Sequence, residues 1–157
     1  MPSAEAIAGF ARVRRARPDD APFCVTLRGL TRENAVSASR LQELGITAAT
    51  WAADIASNAL PGWVAVSDDG LLGYCFGARD SGEVVVLALH PSAEGRGLGK
   101  RLLQLVVDDL RSLGHRRLFL GCSSDPQVRS YGFYRHLGWR STGSLDALGD
   151  ELLELVQ

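Results

Sequence analysis

The most constraining feature of the sequence is an apolar strand that leads through a glycine-rich turn into an amphipathic helix. The strand EVVVLALH, residues 83–90, is apolar at six consecutive positions, which predicts a strand covered on both faces. Over residues 97–113, leucine and valine recur every three or four positions, as in a helix with one buried face. The strand HRRLFLGC follows this helix. Since a strand, a helix and a strand in this order form a right-handed crossover, we expect the two strands to be parallel.

The rest of the chain supplies more strands and helices to such a sheet. Alternating apolar residues and turn signals predict a short strand over residues 11–16, an antiparallel meander from Gly62 onward, and a C-terminal hairpin. Capping residues and glycine stops predict four further helices. They cover residues 21–30, 37–44, 47–57 and a segment that starts at Asp125 and Pro126 and ends at Leu137. The pattern is typical of an α/β domain with helices on both faces of a central sheet.

Length and composition favour one compact domain. The chain has 157 residues, of which 46% are hydrophobic and 22% charged, and this fits neither disorder nor two ordinary domains. We assign residues 1–10 to a loose tail and residues 11–157 to the domain. A net charge of −1 gives no electrostatic case for nucleic acid or a membrane as partner, and no segment approaches the roughly 20 apolar residues of a membrane span. The three cysteines lack metal-ligand spacing, so we expect reduced thiols, a cytoplasmic location and no metal.

Between the apolar strand and the helix lies the loop HPSAEGRGLGK, which brings three glycines to a helix N-terminus. Gly95, Gly97 and Gly99 let the backbone approach a ligand closely, and the helix N-terminus favours an anion such as a phosphate. Arg96 and Lys100 add positive charge. Such a turn is often only a tight corner, and the glycines follow GxGxG rather than the dinucleotide pattern GxGxxG. The loop alone therefore leaves phosphate binding and a purely structural role both open.

Two segments in a fixed order carry a more specific pattern. LALHPSAEGRGLGKRLL, followed by SDPQVRSYGFYRHLGW, resembles the GNAT superfamily of N-acetyltransferases, and the resemblance covers roughly residues 12–157. It implies a single-domain GNAT fold, with a mixed, mostly antiparallel central sheet, a splayed parallel strand pair and helices on both faces. It also implies acetyl-CoA as the co-substrate, with no metal.

The resemblance assigns the cofactor to particular residues. Backbone groups of Leu87 and Leu89 would contact the pantetheine and the thioester, and the backbone of the glycine-rich loop would hold the pyrophosphate. The loop residues are Gly95, Arg96, Gly97, Leu98, Gly99 and Lys100. Gln127 stands seven residues before Tyr134, where this family often has an asparagine, and it can make similar amide hydrogen bonds. Glu94 replaces the usual Gln or Arg of the loop motif, so we expect its side chain to turn away from the pyrophosphate.

The same resemblance suggests two catalytic residues. Tyr134 matches the family tyrosine that protonates the CoA thiolate, although a packed helix aromatic is the alternative. Glu83 lies eleven residues before Glu94, the spacing at which histone acetyltransferases of this superfamily place their catalytic glutamate. A solvated charge at a strand end explains Glu83 equally well. Other members place a base at the end of the next strand, where this chain has Cys122, a poor replacement for a carboxylate.

The function implied is an acetyl-CoA-dependent N-acetyltransferase that transfers the acetyl group to a primary amine of a small molecule or protein by direct attack. The alternative is a non-catalytic acetyl-CoA or CoA-binding sensor or regulatory module. Acceptor specificity in this superfamily resides in the least patterned region, residues 30–60, and in the C-terminal hairpin, so the acceptor is left open. Terminal strands of this fold often pair between subunits, which suggests a homodimer.

Overall fold

The computed structural model describes residues 11–157, and the predicted tail over residues 1–10 lies outside them. The strands are β1 (Arg12–Arg15), β2 (Gly62–Ser67), β3 (Gly70–Gly77), β4 (Val84–Leu89), β5 (Arg117–Cys122), β6 (Arg140–Leu145) and β7 (Glu151–Val156). The helices are α1 (Ala21–Arg28), α2 (Ala38–Glu43), α3 (Ala48–Ala56), α4 (Leu98–Ser112) and α5 (Arg129–His136). Among the described residues, no helix combines the length and the hydropathy needed to cross a membrane.

The first four strands form an antiparallel sheet in the order β1-β2-β3-β4, and one of its faces is aromatic. Tyr74 and Phe76 of β3 point to this face, where both pack edge-on against Trp51 of α3. The ring centroids lie 5.4 and 5.5 Å from that of Trp51. The Tyr74 hydroxyl donates a hydrogen bond to the carbonyl of Cys24 in α1, at 3.1 Å. Helices α1 and α3 are therefore fixed to this face by aromatic contacts and a satisfied buried hydroxyl.

Helix α4 covers the opposite face of the same sheet. Its residues Leu102, Val106 and Leu110 are fully buried, as the spacing of its apolar residues predicts. The helix lies close to β3 because Gly77 has no side chain. A Cβ at Gly77 would lie 2.9 Å from Cγ1 of Val106 and 3.0 Å from Cδ1 of Leu110. The prediction of helices on both faces of the sheet is confirmed.

The C-terminal strands form a second, three-stranded sheet in the order β5-β7-β6. This sheet contains the predicted C-terminal hairpin, β6 with β7. The predicted parallel pairing of β4 with β5 is not confirmed, because every strand ladder in residues 11–157 is antiparallel. Glu83, the residue before β4, forms an isolated parallel bridge with Phe119 of β5.

A β-bulge explains why the two strands separate beyond that bridge. Val86 pairs with Phe76 and Val84 pairs with Gly77, so Val85 is an extra residue without a partner on β3. A bulge bends its strand and increases the local twist, which turns β4 away from β5. Val85 is 45% exposed, and this corrects the prediction that the strand is covered on both faces along its whole length.

Helix α5 begins at Arg129, so the predicted start at Asp125 and Pro126 was wrong. Instead of capping the helix, Oδ1 of Asp125 accepts a hydrogen bond from the backbone N–H of Gln127 at 2.9 Å. The N–H of Val128 donates to the Asp125 carbonyl at 3.1 Å. These two bonds close a separate turn before the helix, a common use of an aspartate side chain.

Gly62, the first residue of β2, tests how tightly the aromatic face is packed. A Cβ there would lie 2.2 Å from Cδ1 of Phe76, whose ring is fully buried. We predict that Gly62→Ala lowers the free energy of unfolding by about 1–3 kcal/mol, the usual cost of overpacking a core. Gly132→Ala is the control, because a Cβ at that helical position meets no atom within 4 Å and alanine is the better helix former. Chemical denaturation measures both variants, and equal stabilities would contradict the predicted clash.

Candidate functional site

The divergence of β4 from β5 opens a cavity of about 570 Å³. Its walls come from the two strands, the loop and first turn of α4, helix α5, and the segment between α1 and α2. The predicted site residues in the lining are Leu87, Leu89, Gly95, Gly97, Leu98, Gly99, Lys100 and Tyr134. Three others, Glu83, Arg96 and Gln127, lie outside the lining. The fold thus brings most of the predicted site residues, which are distant in sequence, around one cavity.

One edge of β4 presents free backbone groups to this cavity. The N–H of His90 donates to the carbonyl of Leu72 at 2.7 Å, and along an antiparallel pair such bonds recur at every second residue. The N–H and C=O groups of Leu87 and Leu89 therefore point away from β3 and into the gap. Because β5 has diverged from this edge, these groups suit a ligand that carries amide donors and acceptors of its own.

The glycine-rich loop gives the cavity an anion-binding geometry. Gly95 and Gly97 have left-handed backbone conformations, with φ of 77° and 78°. A Cβ at either position would meet no protein atom within 4 Å, so the space beside this backbone is open. Gly97 is the N-cap of the 15-residue helix α4, whose first N–H groups have no partner within the helix. Free amides at a helix N-terminus, next to the exposed Lys100, suit a phosphate.

Four charged residues meet where this loop approaches α5. The Glu94 carboxylate accepts hydrogen bonds from Nε of Arg32 at 2.7 Å and from Nη1 of Arg129 at 2.6 Å. Oε1 of Glu33 accepts from the backbone N–H of Arg129 at 3.1 Å. We expected the Glu94 side chain to turn away from the site, whereas it lines the cavity and is neutralised by two arginines. Neither arginine was predicted, because the pairs join residues 62 and 35 positions apart, a distance that no local pattern reports.

Tyr134 stands in the cavity wall formed by α5. The residue is 8% exposed, and its ring packs edge-on against Phe133 and Trp139, with centroids 5.1 and 6.1 Å away. Burial raises the pKa of the Tyr134 phenol above its ordinary value. The phenol therefore stays protonated throughout the neutral range. A protonated phenol in the lining of a cavity is a group that can donate a proton to a bound ligand.

Glu83 stands at the narrow end of the cavity, where β4 and β5 are still joined. It forms the parallel bridge with Phe119, and its neighbour Val84 is part of the lining. Burial, followed by the nearby Asp146 carboxylate, raises the pKa of Glu83. A carboxylate with a raised pKa is a stronger base than an ordinary one. Its position just outside the lining means that it would act on a ligand through an intervening group.

Cys122, at the end of β5, also lines the cavity. Its side chain is buried, and burial raises the pKa of the thiol. The thiolate is therefore scarce near neutral pH, and this environment does not favour Cys122 as a nucleophile or a base. Within residues 11–157, no three side chains of His, Cys, Asp or Glu come together in a way that could hold a metal ion.

The fold and the cavity define an α/β protein that can hold an anionic ligand between a strand edge and a helix N-terminus. The model of the acetyltransferase (GNAT) family matches residues 26–139, well over half of the chain. The chain therefore belongs to the GNAT acetyltransferase family. This finding confirms the family that the two sequence segments indicated.

Two relatives of known name are larger proteins. The chain is similar to the amino-acid acetyltransferase of Neisseria meningitidis serogroup B, with 29% identity over 115 residues, 70% of this chain and 24% of that protein. It is also similar to the mycothiol acetyltransferase of Beutenbergia cavernae, with 37% identity over 59 residues, 38% of this chain and 20% of that protein. The chain thus spans about a quarter or less of these relatives.

Solved structures agree on the fold. The PaiA N-acetyltransferase of Thermoplasma acidophilum, in complex with coenzyme A, superimposes with a TM-score of 0.77 at 18% identity, over 94% of this chain and 99% of that one. The phosphinothricin acetyltransferase of Sinorhizobium meliloti, in complex with acetyl-CoA, superimposes with a TM-score of 0.69 at 21% identity, over 93% of this chain and 88% of that one. At these identities the likeness establishes the shared fold.

Proposed function

We propose that the chain is an acetyl-CoA-dependent N-acetyltransferase that moves the acetyl group from the thioester to a primary amine of a small molecule or protein by direct attack. One observation carries the proposal: a free strand edge, a glycine-rich helix N-terminus and a protonated tyrosine converge on one cavity. Family membership supports acetyl transfer as the reaction. The two structural neighbours described above contain coenzyme A or acetyl-CoA, which supports the same co-substrate here.

The proposed binding mode follows from the chemistry of the co-substrate. Its pantetheine arm carries two amides, which match the free backbone groups of Leu87 and Leu89. Its pyrophosphate is an anion of the kind that helix N-termini bind, and the loop over residues 95–100 offers amides and the Lys100 charge. The β4 edge and the loop are consecutive in the chain, so an extended ligand can contact both in turn.

The proposed reaction needs a base and a proton donor at the cavity. The amine nitrogen attacks the carbonyl carbon of the thioester, the carbon–sulfur bond breaks, and an amide and a thiolate form. An alkylamine has a pKa of about 10.4, so a base must remove its proton near neutral pH. In our proposal Glu83 takes this proton through a water molecule, and Tyr134 donates its proton to the departing sulfur. The raised pKa of Glu83 agrees with the role of a base, and Tyr134 holds the proton that its role requires because its phenol is protonated near neutral pH.

The direct test is to supply acetyl-CoA with a panel of amines and to measure both free thiol and acetylated product. Stoichiometric release of CoA thiol with one product, identified by mass spectrometry, is the expected result. Binding of CoA without turnover on any amine would favour the alternative, a sensor or regulatory module.

A substitution in the loop tests where the pyrophosphate binds. We predict that Gly97→Glu weakens CoA binding by at least about tenfold, because a side chain and a negative charge enter the space that a phosphate needs. Gly45→Glu is the matched control: Gly45 has a φ of 81° and open space around its Cβ, yet lies outside the cavity lining. Isothermal titration with CoA measures both variants. If the two variants bind CoA with equal affinity, the pyrophosphate does not bind at this loop.

Tyr134→Phe tests the proton donor. We predict that turnover falls by about 10²-fold while the affinity for acetyl-CoA is nearly unchanged, since only the hydroxyl is lost. Tyr131→Phe, one helical turn earlier, is the control because Tyr131 lies outside the cavity lining. Steady-state kinetics with a good acceptor measures both. Wild-type turnover in Tyr134→Phe would leave this tyrosine with a packing role.

Glu83→Gln tests the base. In the wild type the rate should fall as the pH drops through the raised pKa of Glu83, because the protonated carboxyl cannot accept a proton. We predict that Glu83→Gln is slow at neutral pH and is partly rescued at high pH, where the amine loses its proton unaided. The pH dependence of kcat/KM measures the effect. A profile that overlays the wild type would remove Glu83 from the mechanism.

A further inference from the structure

The mouth of the cavity is bridged by ion pairs that the reaction scheme does not use. Glu94 follows β4, whereas Arg129 is the first residue of α5, which follows β5. Their contact at 2.6 Å therefore joins the two sides of the gap between the strands. Arg32, which belongs to the segment after α1, reaches the same carboxylate at 2.7 Å. One glutamate thus holds two arginines from separate parts of the chain over the opening.

The exposure of these side chains makes the pairs exchangeable. The side chain of Glu94 is 17% exposed, while those of Arg32 and Arg129 are 58% and 59% exposed. Ion pairs with a solvent-exposed partner contribute little net stability, because the exposed arginines are well hydrated when they are apart from the carboxylate. Two guanidinium groups also carry more donors than one carboxylate can satisfy. A doubly charged anion can therefore compete with Glu94 for the two guanidinium groups.

Two residues of the cavity lining carry a buried hydroxyl without a hydrogen-bond partner. Thr31 and Ser130 are the sequence neighbours of the two arginines, and both line the cavity. Within residues 11–157, the Oγ1 atom of Thr31 and the Oγ atom of Ser130 are buried and have no hydrogen-bond partner. Buried hydroxyls normally have a partner, and because these two belong to residues of the cavity lining, a polar ligand bound there is one way to satisfy them.

We propose that Arg32 and Arg129 form a phosphate-binding pair for CoA, and that Glu94 is the resident counter-ion that a phosphate displaces. This inference rests on the proposed function, since it takes the ligand to be CoA. Arginine suits the role because its planar guanidinium forms paired hydrogen bonds with phosphate oxygens. The pyrophosphate and the 3′-phosphate offer the same chemistry. The glutamate, unexpected in a loop that binds an anion, then keeps the arginines in position while the site is empty.

Glu94→Gln separates this exchange from a merely structural role. The variant removes the competing charge and keeps the shape, so we expect CoA to bind at least about threefold more tightly. Arg129→Gln and Arg32→Gln should each weaken CoA binding about tenfold, which is the loss of roughly one charged hydrogen bond. Arg40→Gln, which breaks the surface pair with Glu43 away from the cavity, is the matched control and should leave the affinity unchanged.

A comparison of CoA with two of its analogues identifies which phosphate group the arginines bind. Pantetheine, which lacks phosphates, should bind all these variants equally. If the arginines hold the pyrophosphate, the variants should change the affinity for 3′-dephospho-CoA as they change that for CoA. If the arginines hold the 3′-phosphate, the affinity for 3′-dephospho-CoA should be the same in all variants. Weaker CoA binding by Glu94→Gln, or equal losses of CoA and pantetheine in the arginine variants, would overturn the inference. Wild-type protein that binds no CoA would instead overturn the proposed function, and the inference with it.

Discussion

The early separation of β4 from β5 is the constraint on which the site depends. The bulge at Val85 turns β4 away after its bridge with Phe119. If the two strands paired along their length, the N–H and C=O groups of Leu87 and Leu89 would be bonded to β5, and no cavity would remain. A buried backbone group without a partner costs about 1–3 kcal/mol. The open edge must therefore be satisfied by water or by a ligand, and a ligand that carries amides recovers this free energy with specificity.

The sequence predicts those parts of the fold that depend on local patterns. Helix α4 follows from its apolar period, because a buried face repeats every three or four residues whatever its partner is. The start of α5 does not follow, because the Asp125 side chain can cap either a helix or a turn, and in this chain it closes a turn. The separation into two sheets was also missed. A bulge inserts one residue into a ladder without changing the apolar pattern, so Val85 looks like its neighbours in the sequence.

The candidate site also contains some residues that the sequence predicts and others that it does not. The glycines and Tyr134 are visible in the sequence because they belong to short motifs that resemble a family. Glu94, by contrast, was visible only as a departure from the motif, and its meaning depends on Arg32 and Arg129. Those partners lie on other elements, and only the folded chain brings them to within hydrogen-bond distance. Long-range charge pairing of this kind has no periodic signal, which is why the arginines could not be chosen among the 17 basic residues beforehand.

Both ends of the cavity carry charged groups of both signs, in different proportions. Arg32, Arg129 and Lys100 lie toward the glycine-rich loop together with Glu33 and Glu94, whereas Glu83 stands at the narrow end and Asp150 lines the wall with Arg28 close to it. Burial, and then Asp146, raises the pKa of both carboxyl groups, so they are stronger bases than exposed ones. The loop end thus has a small excess of positive charge and the other end a small excess of negative charge, which favours one orientation of a charged ligand. This arrangement suits a donor whose phosphates lie at one end and a basic acceptor that enters at the other, with the acyl group between them.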